Sequence, residues 1–278
     1  MHIDRALAMK AFASYVEPYD PDNPRIALKV AHTYRVAEVA ERVAASSGFS
    51  QEDVDLAWLC GLLHDVGRFE QVRRWNTFRD VQSASHAHLG VDALFGPRER
   101  LGVPVSGPEA GVPRIRDFVA DDAEDELLRT AVALHSDYRL PAELDARTRQ
   151  FCELTRDADK VDILRTAQGG TPETLLGCTV DELLDSALSD EAIAAFDERR
   201  CMLRDERSQP ADFLVSFCCF AFELAFAESR AIMREQGYVL ELLEHPFGIG
   251  EPFRREDTRR ELTRMAREMH DYLEGDAS

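Results

Sequence analysis

A histidine and an aspartate stand side by side, His64-Asp65, directly after the apolar pair Leu62-Leu63 and before Val66-Gly67. Two adjacent polar side chains at the end of an apolar helix serve packing poorly, because each costs free energy when buried without partners. They make sense if other polar groups come to meet them. Four more metal-capable side chains occur in the sequence, His32, His86, His135 and Asp159, each in a segment that reads as a helix or a helix end. A fold for this chain has to draw these distant imidazole and carboxyl groups together by helix packing, around one or two divalent cations.

Helical signals run along the whole chain. Asn23-Pro24 supplies an N-cap followed by proline at the first helical position. Ile26, Val30, Ala37, Ala40 and Ala44 then recur at helical spacing up to Gly48. Ser50 opens a second helix, with Asp53 completing a capping-box-like start, and Leu56, Leu59, Cys60 and Leu63 lead to His64. Further helices are predicted over 86–95, over about 122–135, and from after Asp145 through Asp159 to about 168. Beyond Gly170, Thr179 to Glu182 is a capping box, and a long helix follows Pro210 and ends near Gly237. An Arg/Glu-rich helix over about 256–273 reads as a solvated face. Strand-like alternation and internal repeats are lacking.

The expected fold class is therefore all-α. Residues 1–170 form a motif-bearing helical core, and 171–278 a C-terminal helical extension packed on it. The apolar stretch 213–226 is expected to pack on that core or on a second copy of the chain, which leaves a homo-oligomer open. The Gly/Pro-rich stretch 96–113 lies between His86 and His135. It reads equally as a cover over a pocket mouth and as a plain insertion.

Composition narrows the partners. With 278 residues and 45% hydrophobic content the chain can build a sizeable core. A net charge of −19 argues against nucleic acid, whose binding runs on Lys and Arg. It leaves room for a small anionic substrate, since a metal and a few Arg reverse the field inside a pocket. Only three residues are lysine, Lys10, Lys29 and Lys160; the last lies beside Asp159. Six scattered cysteines without a C-x-x-C point to a reducing compartment. The charged N-terminus, Met1-His2-Ile3-Asp4-Arg5, does not read as a signal peptide, and 213–226 is short for a membrane span and carries Glu223. The expected location is the cytoplasm, with no membrane partner.

Imidazole and carboxylate donors suit Mn, Fe, Zn, Co or Ni better than Ca, which takes oxygen ligands. Two such ions about 3.5–4 Å apart clamp both oxygens of a phosphoryl displacement, and the carboxylate that bridges them must sit centrally. Asp65 is the natural bridge, following His64 at a helix end.

The ordered set His32, His64-Asp65 and Asp159 resembles the signature of the HD-domain superfamily of metal-dependent phosphohydrolases. The flanking residues resemble it too: His32-Thr33-Tyr34-Arg35-Val36, Leu62-Leu63-His64-Asp65-Val66-Gly67-Arg68-Phe69-Glu70-Gln71, and Asp157-Ala158-Asp159-Lys160-Val161-Asp162. The resemblance covers roughly residues 25 to 170. It implies that His32, His64, Asp65 and Asp159 bind a primary metal, with Asp157 and Asp162 as neighbouring carboxylates. It implies that His86, with His88 as its competitor two positions on, and His135 bind a second metal together with Asp65. The implied activity is hydrolysis of a small phosphorylated substrate, such as a nucleotide, by metal-activated water. Arg68 and Lys160 would neutralise phosphate charge beside Asp65, with Arg139 as a third candidate. Lys160 alternatively pairs with a carboxylate such as Asp65, and Asp162 supports a ligand histidine. Two other readings share these residues: a di-iron oxygenase on the same scaffold, and a non-catalytic nucleotide-binding regulatory module.

Overall fold

The computed structural model describes residues 1–96 and 114–275, so all but the first residue of the Gly/Pro-rich stretch lies outside the described residues. Within them the fold is all-α, as the sequence predicts: helices are the regular structure and no strand occurs. The chain divides into two compact units, 1–159 and 160–278. The division falls inside one helix, Ala146–Gln168, ahead of the boundary expected after residue 170.

The first unit holds α1 (Arg5–Val16), α2 (Pro24–Ser46), α3 (Gln51–Leu63), α4 (Val66–Trp75), α5 (His86–Phe95), α6 (Ile115–Phe118), α7 (Asp125–Leu134) and most of α8 (Ala146–Gln168). The predicted caps set the starts. Asn23 accepts from the Arg25 amide, and Ser50 from the Asp53 amide. Ser85 likewise accepts from the amide of His88, so α5 begins at His86.

Two of the helices that escape the sequence reading, α1 and α4, matter for the site. In α1, Ala8, Phe12 and Tyr15 are buried at helical spacing, and the Tyr15 hydroxyl donates to the Val66 carbonyl at 2.9 Å. In α4, the charged-looking run Arg68 to Arg74 hides a buried face that includes Glu70 and Gln71. Glu70 is tolerated there because it accepts from the Tyr19 hydroxyl at 2.9 Å and pairs with Arg73 and Arg74.

Two glycines let helices approach closely on either side of His64-Asp65. A Cβ on Gly61 would lie 2.7 Å from the Ala37 Cα, so α3 runs against the backbone of α2. A Cβ on Gly67 would lie 2.0 Å from the His86 carbonyl oxygen and 2.4 Å from the Gly90 nitrogen, which seats α4 on α5. Buried Arg156 of α8 donates to the carbonyls of Leu134 and Asp137, fixing the end of α7.

In the second unit, the long helix predicted after Pro210 is broken. It runs Pro210–Cys218, tightens to a 3-10 turn over Cys219–Glu223, and resumes as Ala227–Gln236. Tertiary hydrogen bonds stabilise the break: Arg230 donates to the Leu224 carbonyl at 2.8 Å, and Glu223 accepts from the Cys201 amide at 3.2 Å. The last helix, Glu256–Gly275, is more than a solvated face. It buries Thr258, Leu262, Met265, Met269 and Leu273, a stripe at helical spacing within its charged surface. All six cysteines are free, and no described helix is long and apolar enough to cross a membrane.

Gly67→Ala is expected to destabilise the protein by about 2–3 kcal/mol, because the added methyl meets backbone rather than a yielding side chain. Urea unfolding measures this; an unchanged midpoint would show that α4 and α5 are not locked at this point.

Candidate metal centre

Six side chains from six helices or helix ends converge in the first unit. His32 lies within α2, His64 caps the C-terminus of α3, and Asp65 is the residue before α4. His86 opens α5, His135 caps the C-terminus of α7, and Asp159 lies on α8. All but Asp159 are at most 4% exposed.

The six form two groups that meet at one carboxylate. His32 Nε2 is 3.1 Å from Asp159 Oδ1 and 3.3 Å from His64 Nε2. Asp65 Oδ2 faces this trio, 3.6 Å from His32 Nε2 and 3.5 Å from His64 Nε2. In the second group, His86 Nε2 is 3.0 Å from His135 Nε2, and Asp65 Oδ1 lies 3.6 Å from each. Asp65 therefore turns one oxygen toward each group. Within each of the trios His32–His64–Asp159 and Asp65–His86–His135, the donor atoms lie within 4.8 Å of one another, close enough to share an ion.

The ring protons are fixed by acceptors behind them. His64 Nδ1 is 2.6 Å from the Gly61 carbonyl, and His135 Nδ1 is 2.7 Å from the Val132 carbonyl. A carbonyl only accepts, so each Nδ1 carries a proton and each Nε2 is turned toward the cluster. His86 Nδ1 sits 2.8 Å from the Asp80 carboxylate, with the same result. Two imidazole nitrogens 3.0 Å apart stand beside an Asp65 Oδ1 that is buried and makes no hydrogen bond, with the Arg68 Nε 3.5 Å away. The donor set fits a divalent transition metal, and an imidazole whose second nitrogen donates to a carbonyl or carboxylate is the usual form of such a ligand.

The electrostatics agree. Burial depresses the His64 pKa, but Asp65 and Asp159 outweigh it and raise it to about 10. Burial works against ionised Asp65 as well; Lys29 and His64 nevertheless hold its carboxyl well below the usual range. Asp159 is held low by His32 and His64, again against its burial. His86 behaves oppositely: burial, then the charge of Arg68, push it down to about 3. The first group thus attracts positive charge, while His86 stays neutral.

The structure decides between sequence neighbours. His86 joins the cluster, whereas His88 is exposed. Asp159, rather than Asp157 or Asp162, is the α8 carboxylate in the first group. Arg139 is exposed and stacks over Tyr138. Arg68 Nε lies 3.5 Å from Asp65 Oδ1, and its Nη1 donates to Gln71, Phe78 and Asp80. The ammonium on Asp65 belongs to Lys29, 2.5 Å from Oδ2, and Lys160 pairs instead with Glu223 at 3.6 Å. Consecutive helix residues point about 100° apart, so Lys160 does not follow Asp159 into the cluster. Lys29 and Asp80 were missed from sequence. Lys29 sits three residues before His32, on the same helix face, a spacing that could have revealed it; Asp80 lies in a loop and carries no such signal.

Residues 30–165 match the family model of the HD domain, a stretch that contains all six side chains. This stretch of the chain is an HD domain, as the sequence resemblance implies. No curated protein and no solved structure matches it.

Cation binding is expected to displace the proton that His64 holds on Nε2. Because the folded pKa is raised from 6.5 to about 10, that proton stabilises the cation-free fold fully below about pH 6.5. Its contribution is lost as pH rises through about 10. Metal affinity should change in the opposite sense, rising with pH across the neutral range. Calorimetry in buffers of different ionisation enthalpy should show about one proton released per protein at neutral pH; release of none would contradict this charge balance.

Proposed function

We propose that this protein is a phosphohydrolase that uses two divalent transition-metal ions to cleave a small phosphoric ester, with nucleotides the first class to test. The observation that carries this reading is Asp65, whose two oxygens face two separate sets of nitrogen donors. His32, His64, Asp159 and Asp65 Oδ2 would hold one ion. His86, His135 and Asp65 Oδ1 would hold the other. Ions held there would supply Lewis acidity and a nucleophile at neutral pH.

The remaining residues prepare the site for an anion. Lys29 and Arg68 both lie beside Asp65, and both stand over the half-buried ring of Phe78, their charges 5.6 Å from its centroid. With a metal held by Asp65, Lys29 would be available to a phosphoryl oxygen, the task expected of Lys160 from sequence. This local positive charge is what an anionic substrate needs on a chain of net charge −19.

Metal analysis of the purified protein, coupled to a phosphatase and nucleotide screen, tests the reading. Two equivalents of metal and phosphate release with Mn or Co are expected. Asp65→Ala should lower turnover by more than about 100-fold, since loss of a supporting partner alone costs 10–100-fold at such centres. The same six side chains also suit a di-iron centre that activates oxygen. Oxygen consumption by iron-loaded protein, without phosphate release under any metal, would replace the hydrolytic reading with that one.

A further inference from the structure

Asp80 belongs to neither group of candidate ligands, yet it is held from several sides. It opens the short 3-10 turn Asp80–Gln82 between α4 and α5. His86 Nδ1 lies 2.8 Å from its Oδ2 and 3.0 Å from its Oδ1. Gln71 Nε2 donates to Oδ1 at 2.8 Å, and Arg68 Nη1 donates to it at 3.2 Å. Arg68 and Gln71 are themselves joined at 2.8 Å. Both also bind the loop backbone: Arg68 the Phe78 carbonyl at 2.8 Å, Gln71 the Ala84 carbonyl at 3.1 Å. One face of α4 thus clamps the loop and aims its carboxylate at His86.

His86 needs such a partner for a topological reason. His64 and His135 end their helices and use the carbonyl three residues upstream to fix the ring. His86 begins its helix, so its own helix offers no upstream carbonyl. A side chain has to do the work.

We propose that Asp80 is the positioning residue of the second group. It holds His86 as the Nδ1–H tautomer and so keeps the Nε2 lone pair directed at Asp65 and His135. Arg68 and Gln71 act through it. The inference rests on the two-ion reading above for its effect on metal, but not for its effect on the His86 ring.

Asp80→Asn tests it without changing side-chain shape. Two donors, Arg68 and Gln71, fix the amide oxygen at the Oδ1 position, which places the amide NH2 where Oδ2 stood. That group donates and therefore pairs only with an unprotonated Nδ1, moving the ring proton to Nε2. Nitrogen-15 NMR of the metal-free protein should show His86 protonated on Nδ1 in the native chain and on Nε2 in the variant. Titration with Mn(II) should show the second equivalent weakened 10–100-fold and the first unchanged. An Nε2–H tautomer in the native protein overturns the assignment without any variant. So does a variant with an unchanged tautomer, or one whose second equivalent binds as in a two-equivalent native protein. Uptake of a single equivalent by the native protein would overturn the two-ion reading instead, and the His86 tautomer would still decide the role of Asp80.

Discussion

A carboxylate buried among imidazoles persists only where positive charge is brought to it, since an uncompensated buried charge costs several kcal/mol. Asp65 imposes that condition on the first unit. Lys29 answers it on one oxygen, and the proton-retaining His64 stands nearby. The other oxygen makes no hydrogen bond and faces two imidazole nitrogens. Much of the surrounding architecture serves this arrangement: α3 is pressed against α2, α4 is seated on α5, and the end of α7 is pinned by Arg156. The helices that carry the donors are thus fixed by backbone-to-backbone approach and by capping, interactions that do not themselves need the cation.

Much of this was legible in the chain. The caps Asn23 and Ser50 announce the helices that carry His32 and His64, and the ordered histidines and aspartates announce the cluster. Local pattern can do this because a cap or a helical stripe is encoded within a few residues. What stayed hidden depends on partners far along the sequence. In α4, Glu70 looks like a surface residue until Tyr19 is seen against it. The 210–236 stretch reads as one helix because its apolar run is continuous, and the break at 219–226 rests on bonds from Arg230 and to Cys201. The final helix hides its buried stripe within a run of Arg and Glu.

The supporting residues show the same division. Lys29 lies one helical turn before His32, so its place beside the cluster follows from a spacing already in view. Asp80 sits in a loop whose path is set by Arg68 and Gln71 of the preceding helix, and no periodicity announces it. Lys160 looked functional by adjacency to Asp159, yet adjacency along a helix separates side chains.

The rings of His64 and His135 are steadied by peptide oxygens from their own terminal turns, groups that every residue except for its side chain supplies alike. Orientation of these two donors consequently needs no particular side chain in the preceding turn, although Gly61 is required there for the approach of α3 to α2. A designer wishing to graft such a centre onto another bundle would need to copy two helix stops for these rings, and at His86 a dedicated anionic brace would have to be supplied.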